Sequence, residues 1–266
     1  KRVLDLPAPR TSEGTGWEPD ATPRFGPLLA QRWHDDAVPL PRAHPDARFR
    51  HSDAGGCARA IAYAALDLPP SNPMDLAGTW VTGLGTMIHQ AWQAELIAQF
   101  PRAEIEVKVH EGERAGHVDA VVSIVRSPLQ PVGSRYWAPE EGHPPYVVAI
   151  EYKSVGGYKY QLAVGARGNP EGPSFSHIVQ AALNAKACDA DEAVIVYGAR
   201  DVISIQMAAK KAHIDEARRL TAEWSMTREQ YEPIAERESR RVEGILRLLD
   251  EGKLPARMIP GPDVPP

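Results

Sequence analysis

Hydrophobic and polar residues alternate in the middle of the chain. Residues 104–110 place three aliphatic side chains on one face, because successive side chains of a strand point to opposite faces of a sheet. Residues 117–125 and 146–153 are rich in β-branched residues and predict two further strands. These three segments together predict a sheet.

Segments with a helical period of hydrophobic residues flank the predicted strands. Ser52 or Asp53 is suited to cap the first helix, which we expect to run to about Leu66 before Pro69-Pro70. The other expected helices cover residues 82–100, 176–187, 209–224 and 227–251, and two short strands cover 193–197 and 202–207. This order of elements predicts an α/β fold.

Stretches rich in proline and glycine divide the chain. Residues 1–45 lack sustained periodicity and predict an irregular N-terminal arm, which leaves residues 46–266 as a single domain. Residues 127–145 predict a surface insertion between two strands. The stretch from Lys153 to Pro173 predicts a flexible loop.

Composition is typical of a soluble cytoplasmic protein. The chain has 266 residues, of which 43% are hydrophobic and 24% charged, and no apolar run approaches the roughly 18 residues of a membrane span. Two cysteines do not suggest a secreted disulfide framework. A formal net charge of −5 excludes a surface coated in positive charge, so any contact with a polyanion would be local, in a groove.

The segment Tyr146–Lys153 is an apolar run that ends in Glu151 and Lys153, which project from the same face of a strand. An isolated Glu-x-Lys usually marks the point where a strand reaches the surface. Here Asp119, in the strand-like run that begins at Gly116, supplies a second carboxylate. Two acids and a lysine on adjacent strands indicate a site for a hard divalent cation, since such ions prefer carboxylate oxygen.

Four segments in this order resemble the RecB-type branch of the PD-(D/E)xK nuclease superfamily, specifically the CRISPR-associated and phage-encoded RecB-like exonucleases. The segments are Gly85–His89, Gly116–Asp119, Glu151–Ser154 and His177–Gln180. The chain departs from the family pattern at Asn184, where an aromatic residue is expected, and in the lack of a C-terminal cysteine cluster.

The resemblance implies a restriction-endonuclease-like fold, with a small mixed central sheet flanked by helices. It also implies a metal-dependent DNA exonuclease, active in recombination, repair or end processing. Its partner would be DNA, single-stranded or with a free end. Two alternatives stay open. One is a structure-selective or end-processing endonuclease, and the other is a catalytically silent subunit that binds nucleic acid.

The resemblance also assigns roles to individual residues. Asp119, Glu151 and the main-chain carbonyl of Tyr152 would hold Mg²⁺ or Mn²⁺, with His89 as a further ligand. Lys153 would orient or deprotonate the attacking water, or stabilise the charged phosphate. A lone histidine on a helix is more often structural than a metal ligand, so His89 has that alternative role.

A polar stripe on the helix at residues 176–187 joins His177, Gln180 and Asn184, and is either a solvated face or part of the site. The resemblance places Gln180 beside the active site. The preceding loop supplies charge and rings that could contact a single strand, from Tyr158, Lys159, Tyr160 and Arg167. The two tyrosines could instead close a small hydrophobic lid.

Cys57 lies in a segment that resembles the one carrying an iron-sulfur cysteine in some relatives. A [4Fe-4S] cluster needs four thiolates, whereas this chain has only Cys57 and Cys188. The cluster is therefore expected only if further cysteines lie outside the given chain.

Overall fold

The computed structural model describes residues 47–69, 71–72, 74–124, 145–166, 168–200 and 220–256. In these residues six strands form one mixed sheet with helices on both faces. The prediction of an α/β fold with a small mixed sheet flanked by helices is confirmed. The expected arm at residues 1–45, the insertion at 127–144 and the strand at 202–207 lie outside the described residues.

The sheet combines parallel and antiparallel pairs. β4 and β5 run parallel, as do β1 and β3, and the remaining neighbours are antiparallel. The strand order is β1-β3-β4-β5-β6, with β2 paired to β3. The strands are β1 (Phe49–Arg50), β2 (Glu104–Glu111), β3 (Arg114–Ile124), β4 (Tyr146–Val155), β5 (Glu192–Ala199) and β6 (Thr221–Thr227).

Five α-helices are described, and a single 3₁₀ turn, His51–Asp53, follows β1. Asp75 caps the longest helix by accepting a hydrogen bond from the Gly78 amide. The helices are α1 (Ala58–Ala65), α2 (Leu76–Gln99), α3 (Gly157–Ala163), α4 (Phe175–Ala187) and α5 (Arg228–Asp250).

Among the described helices, none is both long and apolar enough to cross a membrane.

Three sequence predictions of local structure are wrong. The first helix begins at Ala58, later than Ser52 or Asp53, because Gly55 takes a left-handed conformation with φ of +70° and interrupts the chain before it. The stretch after Lys153 contains the helix α3 where a loop was expected. Residues 221–224, expected at the end of a helix, belong to β6 and pair with β5.

Alternation along β4 divides its side chains between two faces of the sheet. Val148 and Ile150 join a cluster that includes Leu96 of α2. Ala149, which points the other way, packs in the cluster formed with α1, α4 and α5. Glu151 follows Ala149 by two residues and therefore lies on the α4 face, whereas Tyr152 lies on the α2 face.

One edge of β3 has no strand partner over four residues in the part of the chain that is described. On this edge Arg114 and Ala115 pair with β1, and the segment from Ala120 to Ile124 pairs with β4, while the opposite edge pairs with β2. The interval, residues 116–119, is the Gly-His-Val-Asp segment. We call it the β3 opening. Buried backbone groups there must find hydrogen bonds outside the sheet.

A stack of three rings fixes α2 against the sheet. The Tyr152 ring lies 4.7 Å from the Trp92 ring and 5.5 Å from the His89 ring, with interplanar angles of 21° and 19°. Gly198 of β5 leaves the space that the Tyr152 hydroxyl occupies, because a Cβ atom at Gly198 would overlap that oxygen. The position of His89 therefore depends on a glycine in the neighbouring strand.

We predict that Gly198→Ala lowers the free energy of unfolding by about 1 to 3 kcal/mol, because the added methyl group displaces the Tyr152 ring. Urea denaturation measures the change. Gly244→Ala on α5 is the matched control, since a Cβ atom there meets nothing within 4 Å. That substitution should stabilise the helix by up to about 1 kcal/mol. A Gly198→Ala protein as stable as the wild type would contradict this account.

Candidate active site

Glu151 and Lys153 form an ion pair at the β3 opening. The Lys153 Nζ atom lies 2.5 Å from Glu151 Oε1, which confirms that the two side chains project together from one face of β4. The Glu151 side chain is 2% exposed and the Lys153 side chain 25% exposed. A carboxylate this deeply buried requires charged or hydrogen-bonding partners on every side.

Asp119 lies one residue beyond Ala120 and Ile150, where the pairing of β3 with β4 ends. Its Oδ2 atom accepts a hydrogen bond of 2.6 Å from the main-chain N–H of Tyr152. The N–H and C=O groups of a strand residue point to the same side, so the Tyr152 carbonyl also faces the opening. This direction fits the predicted use of that carbonyl as a ligand.

His89 approaches the same carboxylate from α2. Its Nε2 atom lies 3.3 Å from Asp119 Oδ2 and its Nδ1 atom 3.8 Å from Glu106 Oε1. The adjacent Asp119 carboxylate raises the pKa of His89, and burial opposes this effect. The geometry brings His89 and Asp119 together, as the sequence predicts, whereas Glu151 reaches the opening from the other face of the sheet.

Glu106 is a member of the site that sequence reasoning missed. It stands on β2 in a left-handed conformation with φ of +53°, between Ile105 and Val107, and the register of these two residues with Ala120 and Val118 places it opposite Asp119 of β3. Its carboxylate accepts a hydrogen bond of 2.5 Å from the Gln93 amide. In the sequence Glu106 is one of several polar residues that alternate along an amphipathic strand, and nothing in that pattern distinguishes it.

His89, Glu106 and Asp119 fit a divalent metal ion. One ligand atom from each residue lies within 4.8 Å of the others. The buried His89 Nε2 atom of this group has no aligned hydrogen-bond partner among the described residues, and neither has Glu151 Oε1, which has the Lys153 ammonium beside it. A nitrogen and several carboxylate oxygens form the donor set that suits Mn²⁺ or Mg²⁺.

The charges of the site shift the pKa of both members of the ion pair. Burial, and then the charge of Asp119, raises the pKa of Glu151 to about 7. Burial acts to lower the pKa of Lys153, but the charges of Glu151 and Asp119 outweigh it and the pKa is raised. Lys153 is therefore an ammonium at neutral pH.

A cleft of about 360 Å³ opens beside these residues, between α2 and the ends of β4 and β5. Its lining includes His89, Asp119 and Lys153 together with Arg200. Arg200 was missed by sequence reasoning, although it directly follows a strand parallel to β4. Because parallel strands end at the same edge of a sheet, a cation after β5 belongs beside Lys153.

The polar stripe on α4 faces the sheet. Asn184 is 1% exposed, and His177 and Gln180 are half-buried, so the alternative of a solvated face is wrong for Asn184. His177 Nδ1 lies 2.6 Å from the Tyr197 hydroxyl oxygen, which holds the imidazole in place. Burial and nearby lysines lower the pKa of His177 to about 4, so the ring is neutral.

The other predicted substrate residues separate in the structure. Tyr158 is 64% exposed on α3 and Lys159 is also exposed, so both side chains are accessible. Tyr160 is fully buried in the cluster with Val155 and Tyr197, which excludes it as a stacking surface. Arg167 lies outside the described residues.

Cys57 is exposed at the start of α1 and Cys188 follows the end of α4. The backbone amides of Ala60 and Arg59 lower the pKa of the Cys57 thiol. An iron-sulfur role for Cys57 stays a prediction.

Searches against known protein families and against curated proteins find no match. Among solved structures, SSO0001 is similar at 16% identity, with a TM-score of 0.44 over 85% of this chain and 87% of that chain. The alkaline exonuclease LHK-Exo from Laribacter hongkongensis is similar at 9% identity, with a TM-score of 0.43 over 76% and 91%. LHK-Exo in complex with dAMP gives 11% identity and a TM-score of 0.47 over 77% and 88%.

We predict that the stability of the wild type falls relative to that of Glu151→Gln as the pH rises. The folded pKa of about 7 exceeds the ordinary value of 4.5, so the folded state binds more protons than the unfolded state between these values. Stability is therefore lost as the pH rises through this window, by about 1 to 3 kcal/mol between pH 5 and pH 8.

Urea denaturation of both proteins in EDTA measures this difference, because the titrating groups remote from Glu151 are shared and cancel. Parallel pH profiles for the two proteins would show that the folded pKa of Glu151 is ordinary.

Proposed function

We propose that the protein is a metal-dependent deoxyribonuclease that hydrolyses phosphodiester bonds, and that it acts as an exonuclease. The observation that carries the proposal is the convergence of Asp119, Glu151, Lys153 and His89 on one opening in the sheet. Two carboxylates and an imidazole suit a cation, and an ammonium beside them suits an anionic substrate.

Asp119 and Glu151 would hold one or two Mg²⁺ or Mn²⁺ ions, with His89, Glu106 and the Tyr152 carbonyl as further donors. A metal bound there would supply Lewis acidity for a nucleophilic water and offset the charge that builds on the phosphate. The protein's part is to hold these donors in place. The Tyr152 amide fixes Asp119, and the ring stack fixes His89.

Lys153 acts in this proposal as a fixed positive charge. Its ammonium lies on the Glu151 carboxylate at the wall of the cleft, where it can hydrogen-bond a phosphate oxygen or the attacking water. Arg200 on the same cleft supplies a second cation for the DNA backbone. Local cations of this kind reconcile a DNA substrate with a formal net charge of −5.

Exonuclease activity, rather than endonuclease activity, rests on the resemblance of the four sequence segments. The predicted contacts with a single strand or a free end also remain proposals, for Tyr158, Lys159, Arg167, His177 and Gln180. So does a cytoplasmic role in recombination, repair or end processing, in a phage or CRISPR-associated setting. The alternative of a catalytically silent binding subunit is disfavoured by the burial of Glu151 close to Asp119. Burying one carboxylate beside another costs free energy, and a protein that only binds nucleic acid would gain nothing in return.

We predict that the purified protein degrades linear DNA with Mg²⁺ or Mn²⁺ and not in EDTA. Asp119→Ala, Glu151→Gln and Lys153→Ala should each lower the rate by about 1,000-fold or more, because each removes several kcal/mol of transition-state stabilisation. End-labelled linear and circular DNA, single- and double-stranded, are the substrates.

Glu95→Gln neutralises an exposed carboxylate on α2 and is the control, with wild-type activity expected. Activity in EDTA equal to that in Mg²⁺, or an unaffected Lys153→Ala protein, would refute the proposal. Efficient cutting of circular DNA would favour the endonuclease alternative.

We predict that His89→Ala raises the Mn²⁺ concentration needed for half-maximal activity by about tenfold or more, because one donor atom is lost. Glu106→Gln should have a smaller effect, since its amide oxygen can still accept the hydrogen bond from Gln93. The measurement is a metal titration of the cleavage rate. His110→Ala, on the exposed part of β2, is the control. Identical titrations for His89→Ala and the wild type would make His89 a structural residue.

A further inference from the structure

Asn184 makes hydrogen bonds in three directions inside the β3 opening. Its Nδ2 atom donates to Glu151 Oε2 at 2.7 Å and to the main-chain carbonyl of His117 at 3.0 Å. Its Oδ1 atom lies 2.8 Å from His51 Nδ1. The side-chain amide therefore joins the backbone of β3 to the Glu151 carboxylate.

The two groups that accept hydrogen bonds from Asn184 Nδ2 fix the orientation of the side-chain amide, and this orientation determines the direction of the third hydrogen bond. Because Nδ2 is the donor to a carboxylate and a carbonyl, Oδ1 must be an acceptor. His51 Nδ1 must then carry a proton and donate it. Burial lowers the pKa of His51, which keeps the imidazole neutral and leaves one ring proton, at Nδ1.

The three side chains are enclosed. His51 is 3% exposed, and Asn184 and Glu151 are each 1% exposed. Water cannot replace a lost hydrogen bond freely at such depth, so the donor of each pair matters more than it would at the surface.

Gly116 is shaped for this arrangement. A Cβ atom at Gly116 would lie 2.5 Å from His51 Nδ1 and 2.8 Å from Asn184 Oδ1. Any larger residue would push into the hydrogen bond between them. The glycine of the Gly-His-Val-Asp segment thus makes room for a contact between the turn after β1 and helix α4.

We propose that His51 and Asn184 are positioning residues that hold the Glu151 carboxylate in its working orientation, with Oε2 bound to Asn184 and Oε1 beside the Lys153 ammonium. This rests on the proposed function in so far as the orientation serves a metal ion. His51 touches neither substrate nor metal in this arrangement and acts only through Asn184. Asn184 stands where the resembled family carries an aromatic residue.

Matched substitutions distinguish the effect of losing the hydrogen-bond donor from the effect of changing the size of the side chain. His51→Leu removes the donor, whereas His51→Asn keeps an N–H at the position of Nδ1. Asn184→Leu keeps the approximate size of the side chain and removes the donor to Glu151. His110→Leu makes the same change at an exposed histidine of β2 and is the control.

The measurement is the binding of Ca²⁺ or Mn²⁺ to the intact protein by calorimetry, with the cleavage rate as a second readout. His51→Leu and Asn184→Leu should weaken binding by about 10- to 100-fold, the usual effect of losing a residue that orients a ligand. His51→Asn should stay within about threefold of the wild type, because the donor is retained. In the Asn184→Leu background, His51→Leu should add little, since its effect passes through Asn184.

Circular dichroism and thermal denaturation establish that each variant is folded. If a single variant is unfolded, the double variant His51→Leu/Asn184→Leu replaces it in the binding measurements, because both partners of the hydrogen bond are then apolar. A folded His51→Leu protein that binds the metal ions as the wild type does would overturn the proposal. So would equal losses in His51→Asn and His51→Leu.

Nitrogen-15 spectra of the His51 side chain in metal-free protein provide a readout independent of catalysis. The proposal requires the Nδ1–H tautomer in the wild type. An Nε2–H tautomer would overturn it, whether or not the protein binds metal ions or cleaves DNA. A wild-type protein that does not cleave DNA, but shows the Nδ1–H tautomer and the expected pattern of metal binding among the variants, would instead refute the proposed nuclease activity. The positioning role of His51 and Asn184 would then still hold.

Discussion

The burial of Glu151 is the constraint on which the rest of the site depends. A carboxylate with almost no exposure is stable only if its neighbours supply opposite charge and hydrogen-bond donors. Lys153 supplies the charge to one oxygen and Asn184 the donor to the other. Asp119 works against this balance, since its charge raises the pKa of Glu151. The remaining excess of negative charge is what makes the site suited to a cation.

The β3 opening brings these groups together. If β3 and β4 remained paired beyond Ala120 and Ile150, the Tyr152 amide would bond a backbone carbonyl and would not be available to Asp119. Because the strands part there, side chains replace the backbone as hydrogen-bond partners. At the same opening, side chains from both faces of the sheet contact residues of β3. His89 of α2 lies beside Asp119, and Asn184 of α4 donates to the His117 carbonyl.

The sequence predicted the parts of this arrangement that depend on short spacing. Glu151 and Lys153 had to share a face because they are two residues apart, and the strands and helices that carry the site could be recognised by their periodicity. Glu106 and Arg200 could not be found in the same way. Glu106 depends on the register that places it opposite Asp119 and on a left-handed backbone conformation within an ordinary strand pattern, and Arg200 depends on which strands are neighbours. Both facts belong to tertiary structure.

Asn184 shows how a polar stripe can mislead. On an isolated helix, polar residues on one side indicate solvent, because most helices bury only their apolar side. Here the polar side of α4 faces a sheet whose edge is open, so an amide is more useful there than an apolar or aromatic side chain. It satisfies the His117 carbonyl and the Glu151 carboxylate at once, and it needs His51 to fix its orientation. The role of Asn184 is therefore understood through the backbone and side-chain groups that it contacts, and the helical pattern alone does not reveal it.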